Sequence, residues 1–246
     1  MVLFRYKTNE GETDRRNLSM RFDKMKLIVH CMLLFFPWPI RRVLLNTLFG
    51  YRIHRSARIG FSLIMPKMLE MAAGCKIGSF TVCKPIDRLC MHENSGMGSF
   101  HLITGISTSN KRHFNHVTDR RCEMVLGRGV GIPSRKFFDC NGGIYIGDFT
   151  TVAGQRTQFL THSIDIYHAR QDARPIHIGK YCFIGTGCIV LPGASLPDYC
   201  VLGAGSVLNK QQDQVGAIYA GVPAILKKRL NPQEVPWMQR DTLGVL

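Results

Sequence analysis

Residues 158–168 read QFLTHSIDIYH and place His162, Asp165 and His168 within seven positions. Histidine titrates near neutrality, so an imidazole held beside a hydroxyl can take its proton as a new bond forms. A carboxylate close by can orient such a ring or simply cap a loop, and Asp165 is in range for either role. His168 reads as a surface group or a substrate contact rather than a second base. Upstream, Asp139 in SRKFFDCNGG either binds a substrate's hydroxyls or forms the turn ahead of Asn141 and Gly142. No G-x-S-x-G stands in the chain, so these residues suggest direct proton transfer without a covalent intermediate.

The elements that must hold these groups announce themselves downstream. Written in sixes from Ile178, the chain reads IGKYCF, IGTGCI, VLPGAS, LPDYCV, LGAGSV, LNKQQD. An aliphatic residue falls at 178, 184, 190, 196, 202 and 208, and a small one four places later at 182, 188, 194, 200 and 206. A period of six is neither the 3.6 of an amphipathic helix nor simple alternation. It is the short-repeat pattern of a β-helix, each unit a short strand and a turn, stacked to bury one continuous column. Looser repeats begin at 53, 59, 71 and 77. The beat lapses twice, in the polar, basic stretch near 105–130 and again near 162–176, where the chain leaves the coil. His113 and His116 in the first lapse read as surface histidines. A β-helix has flat faces, so the second lapse, which carries HSIDIYHARQDARP, is where a site can stand off the coil.

From about Ile53 to Leu230 the chain resembles the hexapeptide-repeat acyltransferases, through GIYIGDFTTVAG, THSID, IGKYCFIGTG, LGAGSVLNK and AGVPA. Within that family it is most similar to O-acetyltransferases of sugars and bacterial polysaccharides. The resemblance implies an all-β solenoid, a left-handed parallel β-helix over 53–222. An N-terminal helical, basic extension (1–52) precedes it, and a short C-terminal helix and tail (223–246) follow. It implies acetyl-CoA as donor, no metal, a homotrimer, and a sugar or polysaccharide acceptor. Thr161–Asp165 match the family's T-H-x-(L/I)-D, which makes His162 the general base. The donor matches are Thr186, Ala204, Asn209, Lys210 and Lys228. Three alternatives stand beside this reading: an N-acyltransferase of an amino sugar, a carbonic-anhydrase-like β-helix binding zinc across a trimer, and a non-catalytic scaffold. The zinc reading lacks a third repeat-matched histidine.

Composition bounds the rest. A chain of 246 residues accommodates one modest domain with extensions. Nine cysteines, an odd count without zinc spacing, read as small buried packing residues in a reducing, cytoplasmic compartment. No cleavable signal peptide is expected, and no stretch reaches the 18 or so apolar residues of a membrane span. The net charge of +15 has no nucleic-acid motif to accompany it and suits acidic polysaccharide, anionic lipid or coenzyme A phosphates. Around LIVHCMLLFFPW, residues 18–45 read as two helices split by Pro37 and Pro39. Those helices either cap the open end of the solenoid or lie on an anionic membrane, and the two roles are compatible.

Overall fold

The computed structural model describes residues 25–110 and 112–241. The remainder of the 1–52 extension and the last residues of the tail lie outside them. Three sheets of seven, nine and seven strands form the faces of a prism, and the chain visits them in rotation. Ile178 lies on the first face, Ile184 on the second and Val190 on the third; Leu196 returns to the first and pairs with Ile178. Eighteen residues therefore make one coil, three six-residue units long. All contacts between consecutive coils are parallel, and the solenoid is a left-handed parallel β-helix.

The beat's aliphatic residues and the small residues at 182, 188, 194, 200 and 206 are buried in one column. Each fully buried aliphatic side chain contributes roughly 1.5–3 kcal/mol relative to exposure. Eight of the nine cysteines are buried, and all nine are unpaired. Burial pushes the Cys83 and Cys122 thiols up to about 12, which makes them packing groups rather than nucleophiles.

Both ends of the column are covered. Residues 25–33 form one helix and Trp38–Phe49 a second, with Pro37 at its N-cap and Gly50 in the left-handed conformation closing it. Arg41, only 6 % exposed, donates to the carbonyls of Gly60 (2.8 Å) and Ser62 (2.7 Å), and Trp38 Nε1 donates to Ala57 O (2.9 Å). The helices thus cap the first coil, while Ile28, Met32, Phe35, Ile40 and Val43 face outward. At the other end the structure differs from the expected short helix. Ile225–Arg229 is a strand antiparallel to Ala217–Ala220, closing the second face, and two 3-10 turns follow at Pro232–Glu234 and Pro236–Gln239. An open sheet edge gains more from pairing than from a free helix, and Pro232 and Pro236 limit helix length.

The two lapses leave from one edge. Thr104, Asp139 and Leu160 are in register at the ends of three successive third-face strands. After Thr104 the chain departs through 105–122. After Asp139 it turns directly to Ile144–Ile146, and after Leu160 it departs again through 161–175. The first excursion is shorter than expected. Glu123–Leu126 is already a first-face strand, because Met124 and Leu126 enter the core and Glu123 accepts from Tyr145 Oη (2.8 Å).

Two core histidines predict an acid limit to stability. His30 donates to Lys26 O (2.8 Å), and His101 Nδ1 accepts from Lys136 N–H (3.2 Å). Both are nearly sealed from solvent, and burial lowers each to about 4 from an ordinary 6.5. The folded state keeps them neutral while the unfolded chain protonates, so their stabilisation is complete above pH 6.5 and is lost as pH falls towards 4. The urea midpoint should fall across that window. His101→Asn, which keeps an acceptor for the Lys136 N–H, should flatten the slope. A midpoint independent of pH there would refute the assignment.

Candidate active site

The site sits on the edge between the third and first faces, where one direct turn lies between two excursions. Register places Asp139 opposite Leu160, so the chain leaving Leu160 passes directly over the DCNGG turn. Thr161 Oγ1 donates to Asp139 O (2.6 Å) and accepts from Gly142 N–H (2.7 Å), which locks the first residue of the excursion to the turn. A Cβ on Gly142 would lie 2.6 Å from Arg174 O, where the excursion returns. Glycine there lets the two segments close on each other.

His162 is thereby delivered to Asp139. Its Nδ1 donates to Asp139 Oδ2 in a close contact, and its backbone N–H reaches the same oxygen (3.2 Å). The other carboxylate oxygen accepts from the Asn141 backbone N–H (3.1 Å) and Asn141 Nδ2 (2.5 Å). Asp139 is 1 % exposed, and this set of donors makes a buried carboxylate tolerable. The hydrogen bond it donates to Asp139, and then the charge of that carboxylate, hold His162 above the ordinary histidine range, against partial burial. With Nδ1 committed, the lone pair of neutral His162 lies on Nε2, on a side chain still 39 % exposed.

The first excursion forms the wall. Phe114, buried, stands edge-on to the His162 ring at 6.2 Å between centroids. The Arg120 guanidinium stacks 4.6 Å from the Phe114 ring and donates to Ile106 O (2.7 Å), Ser107 O (3.1 Å) and Asn141 O (3.1 Å). One side chain thus ties the excursion to the turn that carries Asp139. Neither Phe114 nor Arg120 was distinguishable in sequence from its polar surroundings. Asn141 and Asp139 had a signal in the 21-residue offset that pairs Phe137 with Gln158.

Two expected roles are corrected. Asp165 does not orient His162. It accepts from His168 Nδ1 (2.7 Å) and the Tyr167 and His168 N–H groups at the tip of an antiparallel hairpin, His162–Asp165 with Arg170–Ala173. Side chains alternate across a strand, and three positions separate it from His162. Asp139 is not free to bind an acceptor's hydroxyls, since both its oxygens are buried and engaged. His168 remains exposed, 64 % by side chain.

The donor candidates are not gathered within one chain. Thr186 and Ala204 are exposed on adjacent coils at the edge between the second and third faces. Asn209 and Lys210 follow Val207–Leu208 on the edge of His162, two coils further along, roughly 10 Å of axial travel. Lys228 lies in the closing strand of the second face. A cleft of about 660 Å³ lies beside the hairpin, lined by Arg121, Gly142, Tyr145, Arg174 and His177 among others; His162 is not among its walls. Among the described residues no group of three His, Cys, Asp or Glu side chains is arranged to hold a metal ion.

The hydrogen bond makes the site testable by titration. NMR should show His162 titrating above 6.5, and Asp139→Asn should bring it down, because the Asp139 hydrogen bond and charge are what raise it. Asp165→Asn should leave it in place. A His162 midpoint indifferent to Asp139 would overturn the pairing.

Comparison with known proteins agrees with this architecture. A family model described as the hexapeptide repeat of succinyl-transferase matches residues 175–210. The protein named "Putative acetyltransferase SAV2555" of Staphylococcus aureus (strain Mu50) is 36 % identical over 98 residues, 38 % of this chain and 49 % of that protein. Galactoside O-acetyltransferase of Escherichia coli (strain K12) is 28 % identical over 102 residues, 40 % of this chain and 50 % of that protein. The matches thus span about half the length of these curated relatives. Among solved structures, the polySia-specific acetyltransferase NeuO superposes with a TM-score of 0.48 at 16 % identity, covering 73 % of this chain and 74 % of that one. In its repeats and in these matches the chain is similar to the hexapeptide-repeat acyltransferases.

Proposed function

We propose that the protein is an acetyl-CoA-dependent O-acetyltransferase that acetylates a hydroxyl of a sugar or surface polysaccharide, with His162 as general base. The observation that carries this reading is the His162–Asp139 pair, which commits Nδ1 and leaves Nε2 as a base on an open edge. Nε2 takes the acceptor hydroxyl's proton as the oxygen attacks the thioester carbonyl. Main-chain N–H groups hold the oxyanion of the tetrahedral intermediate. Its collapse breaks the C–S bond, and the imidazolium returns the proton to the departing thiolate. Asp139 favours the imidazolium formed in the first step and fixes the tautomer that begins it. His168, at the hairpin tip, is a candidate acceptor contact. Nine unpaired thiols suit a reducing, cytoplasmic compartment.

The spread of Thr186, Ala204, Asn209, Lys210 and Lys228 over two edges and a face supports a donor groove walled by two chains. A closed threefold oligomer supplies three equivalent grooves. Lysines at the groove suit the phosphates of coenzyme A.

Thiol release from acetyl-CoA against a panel of glycans, with NMR of the product, tests the reading. His162→Ala should lower turnover on the order of 10²–10⁴ while the fold survives. The wild-type rate should rise with pH through the His162 titration above 6.5, since only the neutral ring acts as base. Near-normal turnover in the alanine variant, or an N-acetylated product, would overturn the assignment. Light scattering should report a trimer; an active monomer would refute the shared groove.

A further inference from the structure

A ridge of aromatic rings runs along the edge between the second and third faces. Phe35, on the turn after the first helix, meets Phe61 edge-on at 6.4 Å. Phe61 meets Phe80 at 6.1 Å, Phe80 stacks on Phe100 at 5.1 Å, and the Arg135 guanidinium lies 5.5 Å from Phe100. The four phenylalanines are 82, 47, 58 and 51 % exposed. Phe80 and Phe100 hold φ of 59° and 61°, where the same corner carries Gly187 and Gly205 in later coils. A bulky residue costs about 1–2 kcal/mol in that conformation. Core packing does not explain the cost, because the rings point out.

The aromatic ladder of another edge behaves differently. Phe149, Tyr181 and Tyr199 also stack, at 5.1 and 5.2 Å, but they are half-buried. There the chain's own tail lies close: Arg240 donates to Phe149 O, and Trp237 meets Phe183 edge-on. Nothing among the described residues covers the Phe61–Phe100 ridge in the same way.

Charge says what fits it. Along the ridge the two faces that meet there are formed by segments 55–64, 76–84, 96–104, 131–138 and 151–160, none of which contains an Asp or Glu; Asp139, which ends the strand Phe137–Asp139 at the opposite edge of the third face, is buried. They contain Arg55, Arg58, Lys76, Lys84, Arg135, Arg156 and the buried Lys136. Arg58 and Lys76 are exposed and directly opposite each other across strands, a repulsive placement with no anion beside either among the described residues. A second copy docked ridge to ridge would set these same cations against one another. An anionic bilayer answers both features, taking the rings at the acyl boundary and the cations at the headgroups. Ile28 and Met32 on the exposed flank of the first helix, with Phe35 on the turn after it, continue the same apolar surface around a groove of about 460 Å³.

We propose that the Phe35–Phe61–Phe80–Phe100 ridge, flanked by Arg58, Lys76 and Arg135, is a docking surface for an anionic lipid bilayer that lays the solenoid on its side. The contact extends well beyond the N-terminal helices, whose inner side caps the coil. It does not depend on the acyl-transfer reading.

Full-length protein should co-sediment with vesicles of phosphatidylcholine mixed with phosphatidylglycerol. It should not do so with phosphatidylcholine alone, and binding should weaken as salt screens the cations. Phe80→Ser with Phe100→Ser should weaken vesicle binding about tenfold or more, with thermal unfolding and oligomer size unchanged. Arg58→Gln with Lys76→Gln should reduce binding mainly at low salt. Wild-type protein indifferent to anionic vesicles overturns the proposal. So does unchanged binding in the phenylalanine variant, or loss of oligomerisation in that variant, which would make the ridge a contact between copies.

Discussion

Parallel register is the constraint on which the rest of this structure depends. Once Ile178 pairs with Leu196 and Val190 with Leu208, every residue of a coil is stacked about 4.8 Å from its counterparts before and after. Extra residues cannot be absorbed within a strand without turning its inward side chains out. They can leave only at a corner. Two departures from the same corner, with one direct turn between them, give a flat-sided prism its one strongly sculpted edge. The ordering of Thr104, Asp139 and Leu160 in one line brings Phe114, Asp139 and His162 together from segments far apart in sequence.

The electrostatics of that edge follow from burial. A carboxylate at 1 % exposure is costly unless its lone pairs are filled. Asp139 receives two N–H donors from Asn141 and two from His162. Because those donors come from the turn and from the excursion, the carboxylate binds the two together as well as tuning the ring. The Asp165–His168 pair has the same chemistry at the exposed hairpin tip, where solvent competes for both partners and the contact does little beyond shaping the turn. Two histidines of one excursion, each paired with an aspartate, thus differ in role through their distance from the core.

A solenoid also has to finish. At one end Arg41 and Trp38 satisfy the open carbonyls of the first coil; at the other, Ile225–Arg229 closes the exposed sheet edge. The rows of aromatic residues at the corners illustrate the same economy of cover. One row has the tail against it, and the other stands open among cations.

The sequence by itself determined the solenoid, because a six-residue beat with small corner residues admits little else and its period survives without long-range information. It singled out His162 as a candidate through its local setting, and it marked the two places where the coil is left. Phe114, Arg120 and the partnership of Asp139 with His162 were decided only by tertiary structure. They depend on how many residues each coil consumes, which fixes what lies opposite what. The Asp139–Asn141 turn reads locally as a simple chain reversal, and Asp165, nearest to His162 in sequence, is the natural but incorrect partner. A strand's alternation carries Asp165 away from the ring, while parallel register carries Asp139, 23 residues upstream, onto it.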